Sequence, residues 1–237
     1  MVWVGTSGWN YPHWRSVFYP SDLSSRSWLS FYARSFSAVE VNYSFYHLPK
    51  VETYRKWFEQ TPEEFLFALK ASRFLTHVKR LKEARTPLEN FLENSAALGD
   101  KRGPIFFQLP PSFKVDLVRL EEFLKILPRG MRFAFEFRHP SWFGEEVYRL
   151  LRKYNAALIF ADTPRYPYAE VRTADFFYLR LHGHEALYAS SYSDKQLEDY
   201  AAKIREWGRE GEGFVFFDND FSGFAVKNAL HLKKLLR

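Results

Sequence analysis

The feature that most constrains this chain is a recurrence of short, β-rich apolar runs separated by longer stretches with helical spacing. The runs fall at Val2–Thr6, Ala38–Tyr43, Phe65–Lys70, Pro104–Gln108, Arg132–Phe137, Ala157–Asp162, Phe176–Leu181 and Phe214–Phe217. Their shortness and their β-branched and aromatic content favour strands over buried helices. Helical spacing predicts helices at Ser27–Phe36, Val51–Gln60, Pro87–Leu98, Asp116–Ile126, Glu145–Tyr154, Asp194–Trp207 and Phe224–Leu236. Ser193 or Asp194 can cap the sixth of these, and Pro87 suits a first helical turn. The crossover through Pro164, Pro167 and Ala174 has no helical pattern and is expected to be irregular. Strands alternating with helices pair in parallel, as a closed barrel or an open doubly wound sheet. A dinucleotide-binding sheet would need G-x-G-x-x-G after the first strand, and Gly5-Thr6-Ser7-Gly8-Trp9 breaks that spacing. The expected fold is therefore α/β, a single (β/α)8 TIM-type barrel domain over residues 1–237, near the ~250 residues such barrels use.

Composition narrows the chemistry. The 25 Phe, 14 Tyr and 7 Trp supply ring area for a large core. The absence of Cys excludes disulfides, thiolate metal sites and cysteine nucleophiles. No apolar run approaches the ~20 residues that span a bilayer, and no leader pattern opens the chain, so no membrane partner and a cytoplasmic location are expected. The formal charge of +6 is uneven. Lys70, Arg73, Lys79, Arg80, Lys82 and Arg85 stand against Glu83 alone, a local net of +5. Such a run is either a solvated helix face or a basic collar for anionic ligands.

Side chains on barrel strands alternate between the interior and the helix-facing layer. Polar residues gather at the C-terminal ends of the runs with a consistent parity. Glu40 and Asn42 alternate with Val39 and Val41, and Lys70 with Leu69. Gln108 follows Phe107, and Glu136 and Arg138 alternate with Phe135 and Phe137. Tyr178, Arg180 and His182 alternate with Phe177, Leu179 and Leu181, while Asp162 and Asp218 close their runs. Buried charges need partners, so one reading is a self-satisfied ion network, such as Glu40–Lys70 or Glu136–Arg180. The other is a functional site, because barrel enzymes draw their working residues from the ends of several strands.

Several ordered motifs carry a resemblance over nearly the whole chain. They are GTSGWNYPHW with FYP, VEVNYSFYHLP, FALKASRFLTH, FFQLPPSF, FAFEFRHPSW, FYLRLHGH and FFDNDFSGFAVKNA. Together they resemble domain-of-unknown-function family 72, the YecE-like proteins. The resemblance implies a TIM barrel and supplies no substrate. Ser44 stands where the family usually has Thr, and Asp218-Asn219-Asp220 where paired asparagines are more usual. The second departure favours a polar ligand contact at Asp218 over a catalytic acid.

Three chemistries compete. The first is acid–base catalysis on a small anionic (phosphate- or carboxylate-bearing) or sugar-like ligand. Here Glu136 acts with a pKa raised by desolvation among Phe133, Phe135 and Phe137, His182 is its proton partner, and Asp162 is a further catalytic carboxylate. Arg138, Arg180 and Lys70 would hold the anion, Glu40, Asn42, Gln108 and Asn219 would add polar contacts, and Trp9, Tyr46 and Trp142 would stack on a ring. The second is a metal-dependent hydrolase or isomerase, with a divalent ion on His182, His184, Asp162 and Asp218 or Glu136; no other cofactor is expected. The third is a nucleic-acid-binding role for the basic run, without any recognised module behind it. The pattern points to an enzyme without separating hydrolase, lyase and isomerase, and specifies no oligomeric state.

Overall fold

The computed structural model describes residues 1–237. Its eight strands are β1 (Val2–Thr6), β2 (Ala38–Val41), β3 (Leu66–Lys70), β4 (Arg102–Gln108), β5 (Phe133–Glu136), β6 (Ala156–Asp162), β7 (Phe176–Leu181) and β8 (Glu212–Phe217). All are parallel, and hydrogen-bonded ladders run unbroken from β2 through each neighbour to β8 and then β1. The helices are α1 (Trp28–Tyr32), α2 (Tyr43–Tyr46), α3 (Val51–Glu59), α4 (Arg85–Ser95), α5 (Leu117–Lys125), α6 (Glu145–Lys153), α7 (Asp194–Gly208) and α8 (Phe224–Leu235). This is a nearly closed α/β barrel of TIM type. No helix is long and apolar enough to cross a membrane.

Sequence periodicity and structure differ at informative places. β2 ends at Val41 rather than Tyr43, because Asn42 turns the chain into the short α2. β4 begins at Arg102, and α1 is only five residues long. The segment from Thr163 to Asp175 holds no helix, as its prolines require. Ser193 and Gln196 form a reciprocal capping box that starts α7.

Two apolar layers follow from strand parity. Phe67, Phe107, Phe135, Leu158, Leu179 and Phe217 face outward into a cluster of 50 buried residues under the helices. Ala38, Ala68, Ala134, Ala157 and Ala161 face inward, and their small volume makes room for Phe106, Phe176, Tyr178, Phe214 and Phe216. Trp3 stacks on Phe214 at 4.9 Å toward the N-terminal end, so the lower lumen is packed with rings. Only the upper lumen is polar.

β1 and β2 form the one seam without a regular ladder. They meet through a single bridge between Ser7 and Glu40, with Gly8 N–H donating to the Glu40 carbonyl at 2.7 Å. Below it the buried Tyr32 hydroxyl accepts from Thr6 N–H at 2.9 Å and donates to the Ala38 carbonyl at 3.1 Å. It thus stands in for a missing strand-to-strand bond. Gly5 is required here, since a Cβ would lie 2.1 Å from the Ala38 carbonyl oxygen. Tyr32→Phe should leave both backbone groups buried and unpaired, lowering unfolding free energy by about 1–3 kcal/mol. Urea denaturation checks this, and a loss below about 0.5 kcal/mol would show that the hydroxyl is not closing the seam.

Candidate active site

Arg180 rises from β7 into the lumen with no solvent exposure. Its Nε and Nη2 donate to the two oxygens of Glu40 at 2.9 and 2.7 Å, a bidentate pair. Nη1 donates to Glu136 Oε2 at 2.5 Å, and Nη2 also to Asp218 Oδ2 at 3.0 Å. Tyr178 Oη donates to Glu40 Oε2 at 2.7 Å, and Ser7 Oγ donates to Glu40 Oε1. Asn42 Nδ2 donates to Ser7 Oγ at 2.6 Å. Glu136 Oε1 accepts from Gln108 Nε2 at 2.8 Å and from Arg138 Nε at 2.9 Å. Phe106 lies beneath, 4.8 Å from the guanidinium.

The electrostatic consequence reverses one expectation. Burial pushes the Glu136 carboxyl up, but Arg180, Arg138 and His182 overcome it and hold it well below the usual carboxylate range. The flanking phenylalanines do not set its pKa, because they face the opposite layer. Glu136 is a committed acceptor for two arginines and an amide, so the reading of it as a general acid with a raised pKa is corrected.

His182 is buried beside this floor. Its Nε2 lies 3.3 Å from Arg180 Nη1, which makes Nε2 the acceptor and leaves the proton on Nδ1. Nδ1 is 3.0 Å from Asp218 Oδ2, close but off-line, an ion–dipole contact rather than a straight hydrogen bond. Burial pushes Asp218 up, and Arg180, His182 and Lys70 outweigh it to leave the carboxyl below its ordinary value. The Asp218 side chain keeps 17 % exposure, so it is the outer member of the pair.

Lys70 differs from every other lumenal charge. It is 9 % exposed and makes no ion pair or hydrogen bond through Nζ, which instead sits 4.3 Å from the Phe45 ring centre and 5.9 Å from that of Phe106. The Glu40–Lys70 pair suggested by strand spacing does not form, since Glu40 belongs to Arg180. Burial, helped by Arg180, pulls the Lys70 ammonium down to about 8 against Glu136, Asp218 and Glu40. His77, edge-on to Phe45 at 5.1 Å, is pulled down to about 4 by burial and by Lys70, Arg138 and Arg73. Arg138 Nη2 donates to the Tyr188 hydroxyl at 3.2 Å, and its guanidinium lies 4.5 Å from the Tyr166 ring.

Strand parity therefore brings together Glu40, Asn42, Lys70, Gln108, Glu136, Arg138, Arg180, His182 and Asp218. Tyr178, in the same inward set, joins them as a donor to Glu40. Parity does not single out Ser7, and Tyr188 and His77 lie in loops that strand spacing does not reach. Other expected residues lie elsewhere. Asp162 has the parity of Leu158 and Phe160 and turns outward, 3.1 Å from His184 Nδ1. Asn219 is buried, tying the Ser190 carbonyl and Asn228 Oδ1 at 2.9 Å each. Trp142 is buried in a stack on Phe137 at 4.6 Å and does not reach the mouth. Tyr46 is exposed on α2, and Trp9 meets Trp57 edge-on at 5.3 Å in a cavity of about 380 Å³ that Asn42 and Tyr43 also line.

The expected metal set is split into the pairs His182–Asp218 and His184–Asp162, and no three His, Asp or Glu side chains are arranged to hold a metal ion. The donor set does not fit a metal centre. The basic run is not a single helix face. Lys79 pairs with Glu83 at 2.5 Å, Arg85 with Glu89 at 3.8 Å, and Arg80 reaches Ser112 at 3.1 Å. Arg80, Leu81 and Glu83 have left-handed backbone, which breaks any regular helix there.

The sequence model of the family described as protein of unknown function DUF72 matches residues 3–237. The chain belongs to DUF72. Protein YecE of Escherichia coli K12 is 34% identical over 155 residues, covering 64% of this chain and 54% of YecE, about half the length of that relative. Protein YunF of Bacillus subtilis is 26% identical over 273 residues, spanning 100% of this chain and 95% of YunF. A DUF72 crystal structure from Thermotoga maritima superposes with a TM-score of 0.89 at 33% identity, over 100% of this chain and 99% of the other. D-psicose 3-epimerase from Clostridium cellulolyticum, solved with D-tagatose, shares the fold at a TM-score of 0.57 and 9% identity, over 98% of this chain and 94% of that one.

Two outcomes follow for this DUF72 site. Glu136 has a depressed folded pKa, so its ionised form stabilises the protein above the unfolded value near 4.5 and is lost as pH falls through the folded one. Glu136→Gln should therefore flatten the acid limb of stability below about pH 4.5, measured by denaturation across pH; an unchanged limb would contradict the assignment. Lys70 has the opposite sign. Its ammonium costs stability below about pH 8, and the cost fades as pH rises toward the ordinary lysine value. Lys70→Met should be as stable as wild type or more so at pH 7, by up to about 3 kcal/mol, with the gap closing by about pH 10. A clear destabilisation at pH 7 would reveal a structural ion pair instead.

Proposed function

We propose that the barrel mouth binds a small anionic compound, bearing a phosphate or carboxylate group, and acts on it by proton transfer through Lys70 and Asp218, with His182 steadying Asp218. One observation carries this reading: the Lys70 ammonium has no partner in a lumen where Arg180 and Arg138 are both matched to carboxylates. A buried ammonium without a counter-charge costs free energy that a bound anion offsets. The depressed His77 supports it, because that ring responds to the positive potential of Lys70, Arg138 and Arg73 in the same corner.

Asp218 supplies the proton-transfer end. It is the partly exposed member of its pair, and the Nδ1–H of His182 behind it steadies its carboxylate. Glu40, Glu136 and Arg180 form the rigid floor that positions these groups. The Trp9, Tyr43 and Trp57 rings beside the mouth offer flat apolar faces to the rest of a sugar-like ligand.

Isothermal titration with inorganic phosphate, a sugar phosphate and a hydroxy acid tests the reading. At least one should bind wild type, and Lys70→Met should weaken it by about tenfold or more, the worth of one charge-assisted contact. Equal affinity in the variant would sink it.

A further inference from the structure

The anionic-ligand reading leaves open what Lys70 does to the ligand. Resting on that reading, we propose that Lys70 is a nucleophile whose amine condenses with an aldehyde or ketone that also carries a phosphate or carboxylate, forming an imine.

The surroundings of Nζ argue for this. A lysine kept only to hold an anion works best fully charged, with water or polar groups around its ammonium. Here the walls are the Phe45 and Phe106 rings, and the Arg180 guanidinium opposes the charge. No carboxylate is bonded to Nζ to stabilise it, although three stand in the same lumen. The groups that face it are Arg180 from β7, Glu136 from β5, Asp218 after β8, Glu40 from β2 and His77 after β3, with Arg138, two residues past the end of β5, acting on that same His77. With the ammonium drawn down to about 8, roughly a tenth is free amine at pH 7, against well under a thousandth for an ordinary lysine. Lysines activated by desolvation or by a neighbouring cation are the ones that form such imines.

The step balances without an oxidant or reductant. The nitrogen lone pair bonds to the carbonyl carbon while the C=O π pair moves to oxygen. The ammonium proton passes from nitrogen to that oxygen by way of the Asp218 carboxylate. A second proton, taken from solvent by the partly exposed Asp218, lets the hydroxyl leave as water, and the nitrogen lone pair closes the C=N bond. With Lys70 in the imine, the ligand's anionic group falls to Arg138, whose Nε and Nη2 are held by Glu136 and Tyr188 and whose Nη1 carries no hydrogen bond.

The test uses the full chain with glyoxylate or glycolaldehyde phosphate, each with sodium cyanoborohydride to reduce an imine to a stable secondary amine. Intact mass and peptide mapping should find one adduct per chain, on Lys70, and excess inorganic phosphate should slow the glycolaldehyde phosphate reaction at least fivefold. Lys70→Arg, which keeps the cation, should abolish it. Adducts spread evenly over surface lysines, or undiminished in Lys70→Arg, would overturn the proposal. Titration of wild type with the same anions separates the two readings. Binding without an adduct refutes the imine and leaves the anion site standing, whereas neither binding nor adduct refutes both.

Discussion

Arg180 enters the lumen from β7 and is met there by carboxylates from β2, β5 and the end of β8. A guanidinium in this position would be intolerable alone, and so would Glu40 or Glu136. Together they are hydrogen-bonded at almost every available site, the condition under which a buried ion network is sustainable. The alanines at Ala38, Ala68, Ala134, Ala157 and Ala161 belong to the same solution, because they leave space for Arg180 and the rings beneath it. Removing one member would leave an uncompensated charge in the buried lumen, a loss of about 3–5 kcal/mol. The network therefore ties four strands together at the level where the barrel stops being apolar.

That commitment determines which groups remain for chemistry. Glu136 is the most acidic-looking candidate by position, yet its lone pairs are taken by Arg180, Arg138 and Gln108. Glu40 is likewise closed by Arg180, Tyr178 and Ser7. What the floor leaves uncommitted is Lys70 and the outer edge of Asp218. An unpaired buried lysine amid satisfied charges is the observation on which the proposed anion site rests.

Much of this was legible in the sequence, and the failures have physical causes. Alternation of strand and helix patterns carried the barrel, and inward parity collected Glu40, Lys70, Gln108, Glu136, Arg138, Arg180 and His182. Asp162 broke that rule while being counted with it: it shares the parity of Leu158 and Phe160 and belongs to the outer layer with His184. Asn219 lies beyond the end of β8, where alternation no longer predicts direction. The acidity of Glu136 was misread because sequence neighbours on a strand face opposite ways; Phe135 and Phe137 are adjacent in the chain and remote in environment. Pairing was the least legible level. Which of Lys70 and Arg180 would meet Glu40 depends on three-dimensional position, and spacing alone could not choose between them.

Glu40 joins the site to the weakest part of the barrel. The β1–β2 seam has one bridge, at Ser7 and Glu40, and the same two residues also meet through their side chains. The main chain of Glu40 holds the seam through Gly8, while its carboxylate holds Arg180. Tyr32 completes the seam one turn below, where Gly5 lets the backbones approach too closely for any side chain. A strand pair with a full ladder would not need these devices. Closure of the barrel and orientation of the guanidinium are thus one constraint, so a change at the seam reaches the floor under Lys70 and Asp218 by way of Glu40.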